Sequence, residues 1–396
     1  MSSVLPVSPA EERSAVDNRR MLVFLVVLAL CSAFAFQGWR TLLNNYAVET
    51  AGLSGLQMGI IQSLREVPGF MALGVVFLLL LAREHRLAAV SVCIMGGGVM
   101  LAGQFPTFGG VAATTMLMSF GFHYYETLNQ SLTLQYFGKK EAPVIMGRIR
   151  GFTAGANLAV GGTIALLSLW LPYSAIFVVV GGVAVCGGVW ALRQNPASPT
   201  APRQNKGIVL RGRYWLFYLL TFLSGARRQI FVAFAVFLLV DRFGFGIGEI
   251  TALFIVNNVV NWFLSPAIGR AVNRYGERAV LTLEYAALLF VFLGYAVAWS
   301  KWQVAALYVI DHIFYNFALA IRSYFQKVAD PADIAPSMAA SFTINHIGAV
   351  ILPALGGYLW MVDYRIPFLG AAGLALCSLV FVQLIPHSMR KAGVAA

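Results

Sequence analysis

Long apolar runs recur along the whole chain and constrain its fold more than any other feature. Each run has about 20 residues or more, the length that a helix needs to cross the hydrocarbon core of a bilayer. Within lipid, a single segment satisfies all of its backbone hydrogen bonds only as a helix. The content of 59% hydrophobic and 11% charged residues excludes an ordinary soluble globular protein. We therefore predict an all-α membrane protein.

Hydropathy and helix-breaking residues divide the chain into twelve predicted transmembrane helices. The first six are residues 21–47, 56–82, 87–104, 110–136, 144–170 and 173–192. The second six are residues 214–240, 248–269, 279–299, 303–327, 336–360 and 366–386. The predicted organisation is a tail (1–20), a six-helix bundle (21–192), a polar linker (193–213), a second bundle (214–386) and a tail (387–396). No cleavable signal is expected, because the apolar run from Met21 lacks a small-residue cleavage site.

Lysine and arginine are distributed unevenly between the two sets of connections. The tails, the linker and the alternate loops on their side carry eighteen of these residues, whereas the opposite loops carry only Arg242, Lys301 and Arg365. The positive-inside rule then places both termini and the linker in the cytoplasm of a protein of the plasma (inner) membrane. The net charge of +12 is thus interpreted as a topology signal, and nucleic acid is not needed to explain it.

The two predicted bundles share short segments at an offset of about 190 residues. The segment GLSGLQ at 52–57 matches GFGIGE at 244–249, each before the second helix of its bundle. The pair Tyr-Phe at 136–137 matches the pair at 324–325, and the Gly-Gly pair at 161–162 matches 356–357. Their common order indicates two six-helix pseudo-repeats, and such repeats build a site at their interface near mid-membrane.

The segment GRAVNRYGER at 269–278 follows the predicted eighth span. It resembles the G-x-x-x-D-R-x-G-R/K loop of the major facilitator superfamily, with Asn273 where that family often has aspartate. The corresponding segment at 82–86, AREHR, is a degraded copy without the glycines. The resemblance implies the major facilitator fold, in which the first, fourth, seventh and tenth helices surround a central cavity. It also implies that Asn273 and Arg274 help to gate the cytoplasmic side.

Two adjacent arginines, Arg227 and Arg228, lie in the middle of the seventh predicted span. Each costs about 2.5–3.5 kcal/mol at the bilayer centre, so both must face partners or a water-filled cavity. One interpretation is that they line the path of an anionic ligand. The other is that acidic groups on neighbouring helices neutralise them and that they only hold the bundle together.

Other polar residues within the spans share single helix faces, and positive charge is in excess. Gln37 and Arg40 lie on one face of the first helix, and His123, Glu126 and Gln130 lie on one face of the fourth. The predicted intramembrane charges are Arg40, Arg65, Arg227, Arg228 and Arg322 against Glu66, Glu126 and Asp311. Because guanidinium forks match carboxylate or phosphate oxygens, the excess favours an anionic substrate.

These observations predict a secondary active transporter that moves a small organic anion or zwitterion by alternating access, coupled to protons. The candidate substrate-binding residues are Gln37, Arg40, Tyr124, Glu126, Arg227, Arg228, Asn257, Asn258, Tyr315 and Asn316. The candidate proton-coupling residues are Glu66, Glu126 and Asp311, each of which could instead form a static salt bridge. The alternatives are a proton-driven exporter of drugs or metabolites and a non-transporting membrane scaffold or sensor.

The remaining expectations concern partners and chemistry. The chain lacks a nucleotide-binding loop, a catalytic triad and a metal-ligand spacing, so we expect no enzyme, cofactor or metal site. Its four cysteines lie within apolar runs and are expected to be free. The expected partners are the small anion, protons and the lipid bilayer, and the protein is expected to be a monomer. Substrate identity and transport direction stay open.

Overall fold

A computed structural model describes residues 9–198, 204–205 and 207–393. Twelve long helices, here numbered α1–α12, make up the described part of the chain. The N-half contains α1 (Pro9–Glu49), α2 (55–78), α3 (Glu84–Ala102), α4 (Phe108–Tyr136), α5 (Ala142–Leu167) and α6 (Tyr173–Leu192). The C-half contains α7 (Gly212–Asp241), α8 (247–275), α9 (277–296), α10 (Lys301–Val328), α11 (Ile334–Val362) and α12 (Arg365–Lys391).

The predicted fold class is confirmed, with twelve helices in two halves of six. Eight described helices are long and apolar enough to cross a membrane, and one of these, Ala252–Ala296, joins α8 to α9. Most boundaries differ from the predicted spans by one to five residues. Larger differences occur at α1, which begins at Pro9 inside the predicted tail 1–20, and at α8, which runs on to residue 275. Residues 1–8 and 394–396 of the predicted tails, and 199–203 and 206 of the linker, lie outside the described residues.

The segments before α2 and α8 have the same backbone conformation, as the internal repeat predicts. Gly52 and Gly244 both have φ +61°, a left-handed conformation that glycine adopts without steric cost. Five residues after each glycine, the side chains of Gln57 and Glu249 accept hydrogen bonds from the N–H three positions before them, both at 2.9 Å. These bonds cap the first turn of each helix, so the two halves begin their second helices in the same way.

The predicted ten-residue loop between α8 and α9 is instead a break at a single residue. Helical geometry continues to Tyr275, and only Gly276 departs from it, with φ 79° and ψ 159°. A side chain at this φ would be strained, which explains why glycine stands at this point of the motif. The two helices are therefore connected by a sharp corner rather than by a flexible segment.

Hydrogen bonds between the halves concentrate at one end of the molecule. We call it the linker end, because it carries the linker and the α2–α3, α4–α5, α8–α9 and α10–α11 connections. Here the Gln326 amide donates to the carbonyls of Leu134 and Phe137, both at 2.7 Å. The Asn273 amide also donates to the Lys140 carbonyl across the same boundary. These bonds close the linker end.

Helices α5 and α8 approach closely through glycines along the same boundary. A Cβ atom on Gly147 would collide with the Ser265 carbonyl oxygen, and one on Gly269 would collide with the Pro143 carbonyl oxygen. Beyond this seam, Asn157 donates to Asn258 at 3.2 Å. Helices α2 and α11 also meet across the boundary, where the Thr343 hydroxyl accepts a bond from the Leu73 N–H and donates to the Phe70 carbonyl, both at 2.9 Å. These hydrogen bonds between the halves therefore lie at the linker end and along the middle of the helices.

The end of the linker is fixed to the C-half by Asp333, whose side chain is fully buried before α11. Its carboxylate accepts bonds from Arg211 at 2.7 and 2.9 Å, from Asn205 at 2.7 Å and from Tyr214 at 2.7 Å. Burial alone would raise the pKa of Asp333, but the hydrogen bonds from Tyr214 and Asn205 and the charge of Arg211 outweigh it, and the pKa is lowered. This cluster holds Asn205 and residues 211–214 against the α10–α11 connection.

Replacement of Asp333 by asparagine is predicted to reduce the unfolding free energy by roughly 2–3 kcal/mol, because buried donors lose a charged acceptor. Since the folded-state pKa lies below the unfolded value of about 3.9, this stabilisation is present above that value and is lost as the pH falls through the folded-state pKa. Thermal unfolding in detergent should therefore show a gap between wild type and Asp333→Asn that narrows in acid. The exposed neighbour variant Asp330→Asn is the control, and an equal loss there would contradict the assignment.

Replacement of Gly147 by alanine is predicted to open the linker end, because the new Cβ cannot fit against the Ser265 carbonyl. The control is Gly162→Ala on the same helix, where an added Cβ meets nothing within 4 Å. Spin labels on Lys140→Cys and Asp330→Cys, with the native cysteines replaced, report the distance across this end by double electron–electron resonance. The distribution should shift to longer distances only in Gly147→Ala. An unchanged distribution in folded protein would mean that this seam does not control closure.

Candidate functional site

Helices α2, α7 and α10 each lose regular α geometry within their length. Helix α2 contains Pro68 and then a 3₁₀ turn at Met71–Gly74. Helix α7 widens into a π-helical turn at Phe231–Ala235, and α10 tightens into a 3₁₀ turn at Asn316–Ala318. Such interruptions are common at functional sites, and they are tolerated in membranes where they line a cavity or are buried in protein.

A cavity of about 340 Å³ lies between the halves, beside the interruption in α10. We call it the arginine cavity, because its wall includes Arg150 of α5, Arg228 of α7 and Arg322 of α10. Glu126 of α4 and Tyr315 of α10 lie on the same wall. Its volume lies at the lower end of the range usual for small-molecule sites.

The arginine cavity contains more positive than negative charge. Within the described residues, Arg150, Arg228 and Arg322 have no acidic partner within 4.0 Å. Glu126 lies close enough to all three for electrostatic attraction and accepts a 3.4 Å bond from the neighbouring Gln130. Among the described residues of this wall, Glu126 is the one carboxylate, and Glu66, which Arg65 binds outside the cavity, also attracts Arg228. The guanidinium groups still outnumber the carboxylates, which leaves capacity to bind a further anion.

Tyr315 links the arginines of the two halves. The Arg150 guanidinium lies over its ring, 5.1 Å from the centroid, and the Arg228 side chain is hydrogen-bonded to its hydroxyl. A cation–π contact of this kind is worth about 0.5–2 kcal/mol and positions the guanidinium without neutralising its charge. The geometry therefore holds the two arginines in place while both remain available to an anion.

A second cavity of about 300 Å³ lies nearer the opposite end of the helices. We call it the amide cavity, because Gln37, Asn257 and Asn258 line it together with Arg40 and Tyr308. Arg150 and Thr153 belong to the walls of both cavities. Four predicted substrate-binding residues therefore lie together here, and three others, Glu126, Arg228 and Tyr315, lie together in the arginine cavity.

The structure places Arg227 away from both cavities. Its side chain is 3% exposed, pairs with Glu284 of α9 at 3.3 Å and donates to Ser378 of α12 at 2.5 Å. Its guanidinium also lies 4.5 Å from the centroid of the Tyr285 ring. Of the two interpretations of the arginine pair, the neutralised salt bridge describes Arg227 and the cavity-lining arginine describes Arg228.

Three more of the predicted site residues lie on neither cavity wall. Asp311 is 3% exposed and lies beside the Arg227–Glu284 pair in the core of the C-half. Asn316 is buried and donates to Asn261 and to the His312 carbonyl. The Tyr124 hydroxyl donates to the Met71 carbonyl of α2 at 3.4 Å. Tyr124 is rotated by about 100° around α4 from His123, which lines the arginine cavity, so it points away from that cavity. None of the three lies on the wall of either cavity in this structure, and their roles in binding substrate or protons stay predictions.

Glu66, the remaining proton-coupling candidate, lies in a cluster with His123 and His346 between the halves. Donor atoms of the three side chains lie within 4.8 Å of one another, a grouping that the sequence did not predict. Such a set suits a transition metal, but Arg65 binds Glu66 directly and Arg228 lies close to both histidines. Because two guanidinium charges oppose a divalent cation, we interpret the cluster as a polar contact between the halves.

The predicted gating residues differ in their contacts. Asn273 makes the bond to the Lys140 carbonyl at the linker end described above. Arg274 is exposed, with its guanidinium 5.3 Å from the centroid of the Tyr275 ring. Of this pair, Asn273 is the residue that contacts the other half.

Arg150 was missed by the sequence analysis, although it lines both cavities. A signal was present, since it is an arginine several residues inside the predicted span 144–170. The rule that an intramembrane charge needs a partner or a cavity applies to it as it does to Arg228.

Comparison of the sequence with profiles of protein families agrees with this fold and with a cavity between six-helix halves. The profile of the Major Facilitator Superfamily matches residues 25–315 and, in a second match, residues 217–394. The chain belongs to the major facilitator superfamily. This family and fold identify it as a membrane transporter and not as an enzyme.

Individual superfamily members are only distantly similar to this transporter. An uncharacterised MFS-type transporter of Methanocaldococcus jannaschii is 28% identical over 130 residues, which span 32% of each chain, so the match covers about a third of that relative. FucP, the fucose:proton symporter of E. coli, has a TM-score of 0.75 in its outward conformation at 13% identity, covering 92% of this chain and 98% of FucP. A bacterial homologue of the iron transporter ferroportin, in an outward-facing state, has a TM-score of 0.72 at 13% identity, covering 93% and 99%. At these identities the structural matches show the fold alone.

Proposed function

We propose that this transporter carries a small organic anion through the space between its halves. The observation that carries the proposal is the set of three cavity arginines, Arg150, Arg228 and Arg322, with only Glu126 among them. Charged groups at membrane depth are costly unless they have partners or line a path. Guanidinium groups form two-point contacts with carboxylate and phosphate oxygens, so an anionic substrate supplies the missing partner.

The distribution of positive residues supports a cytoplasmic linker end in the plasma membrane. The seal made by Gln326, Asn273 and the α5–α8 glycines then closes the cytoplasmic side. The amide cavity lies toward the outside and the arginine cavity lies deeper. An anion entering from outside would meet Arg40 and Asn257 first and Arg228 and Arg322 afterwards. Alternating access requires the seal to break and a new one to form at the opposite end.

Glu126 is the residue that we propose for proton coupling. Its carboxylate attracts the same arginines that would bind the anion, so substrate and Glu126 compete for them. Protonation of Glu126 removes this competition and frees the arginines for the anion. Anion binding in turn favours the protonated form of Glu126. Glu66 is already bound to Arg65, and Asp311 lies in the closed core of the C-half. Coupling of transport to protons occurs in another protein of this fold, since FucP is a fucose:proton symporter.

Replacement of Arg228 by glutamine is predicted to weaken anion binding by about tenfold or more, because a charged hydrogen bond is worth roughly 1.5–3 kcal/mol. The matched control on the same helix is Arg227→Gln, which leaves Glu284 without its partner. Arg227→Gln should lower the unfolding temperature more than Arg228→Gln does. Binding is measured by thermal shift of purified protein against a panel of small carboxylates and phosphates.

The same variants are then tested for transport in proteoliposomes that contain a pH-sensitive dye. The sign of the pH change shows whether protons move in the same direction as the added anion or in the opposite direction. If Arg228→Gln binds and transports every active anion as wild type does, the anion site is not at the arginine cavity. If cationic drugs and no anions produce flux, the exporter alternative replaces the proposal.

Replacement of Glu126 by glutamine is predicted to abolish proton movement while anion exchange continues. The amide keeps the shape of the side chain and its contact with Gln130 but carries no proton that can be exchanged. Acidification of the proteoliposome interior on addition of anion should disappear. Exchange of labelled anion should persist when the same anion is present inside and outside the proteoliposomes. Wild-type acidification in Glu126→Gln would exclude this residue from coupling.

A further inference from the structure

Asn257 of α8 has an unusual environment for a buried amide. It is 2% exposed and lines the amide cavity, yet neither its Oδ1 nor its Nδ2 has a hydrogen-bond partner among the described residues. A buried polar group without a partner destabilises the empty protein. Such a group in a cavity wall is well placed to bind a ligand that both donates and accepts.

A second donor without a partner, the Nδ1–H of His312, is identified by the hydrogen bonds among Asn316, Asn261 and His312. The Asn316 amide nitrogen donates to Asn261 Oδ1, which identifies the other end of Asn261 as a donor. That Nδ2 lies 2.8 Å from His312 Nε2, so Nε2 accepts and the proton of the neutral ring lies on Nδ1. His312 also lines the amide cavity, and its Nδ1 has no partner within the described part of the chain.

The amide cavity lies next to the arginine cavity, and Arg150 and Thr153 belong to the walls of both. A ligand whose anionic group binds Arg150 can therefore extend its body toward Asn257 and His312, which line the amide cavity. An apolar body would leave the Asn257 amide and the His312 N–H unpaired. A cationic body would face Arg40 and Arg150. Hydroxyl groups donate and accept at once, and they satisfy both residues.

Resting on the proposed anion transport, we propose that the substrate is a hydroxyl-bearing organic anion of the sugar-acid or sugar-phosphate class. Its acidic group binds at Arg150, Arg228 and Arg322, and its hydroxyls bind Asn257 and the His312 N–H. Asn257 is then the residue that selects for hydroxylation, because a site built to hydrogen-bond a hydroxyl rejects the analogue that lacks it.

The test compares anions of similar length with and without hydroxyls. Thermal shift and calorimetric titration of the purified full chain use D-gluconate against hexanoate, glucose 6-phosphate against hexyl phosphate, and uncharged D-sorbitol. Wild type should prefer at least one hydroxylated anion over its alkyl counterpart by about tenfold or more. Sorbitol, which lacks the anionic group, should bind more weakly than either hydroxylated anion. Comparable affinity for the members of both pairs would overturn the inference and leave the anion proposal standing, whereas no response to any anion would contradict both.

Asn257→Leu separates a ligand contact from a structural role. Leucine has nearly the same size and no unpaired polar atoms, so the empty protein should unfold at the same or a higher temperature. The preference for the hydroxylated anion should fall about tenfold, and Arg228→Gln should weaken both members of a pair. The control is Asn44→Leu, an exposed residue of α1 on neither cavity wall. A lower unfolding temperature with an unchanged preference in Asn257→Leu would show that its amide serves the fold.

Discussion

Three guanidinium groups with too little negative charge around them are the constraint on which this structure depends. Charge at membrane depth is stable only when it is paired or hydrated, and each half could have paired its own arginines, as Arg227 does with Glu284. Arg150, Arg228 and Arg322 are instead held between the halves, around Glu126 and Tyr315. Of the two adjacent arginines, Arg227 forms a structural salt bridge, whereas Arg228 lines the cavity and is the proposed binding group.

The contact between the halves is built to close one end at a time. At the linker end the helices meet backbone to backbone at Gly147 and Gly269, and side-chain amides such as that of Gln326 bond to carbonyls of the other half. Apolar packing accompanies these polar contacts, because one hydrophobic cluster contains buried residues of both halves, such as Ile145 and Ile268, so opening this end also separates apolar side chains. The surplus of positive charge lies just beyond them, at the point where a substrate would gain access to either side.

The fold followed from the sequence more completely than the site did. Run lengths and the repeated glycines at 52 and 244 were sufficient for twelve helices in two halves. Helical periodicity could not decide which of Arg227 and Arg228 faces the cavity, because they lie about 100° apart and the answer depends on α9 and α12. Glu284, the partner of Arg227, was hidden in an apolar run, and Asn316 and Asp311 face neighbours within their own half. Tertiary packing decides these orientations.

The most direct measurement is the anomalous diffraction of bromide soaked into crystals of the wild-type protein. Bromide is a small anion whose position can be determined without knowledge of the natural substrate. The arrangement described here predicts a peak between Arg150, Arg228 and Arg322, and its loss in crystals of Arg228→Gln. A cavity free of bromide, in crystals whose surface arginines are occupied by it, would contradict an anion site between the halves.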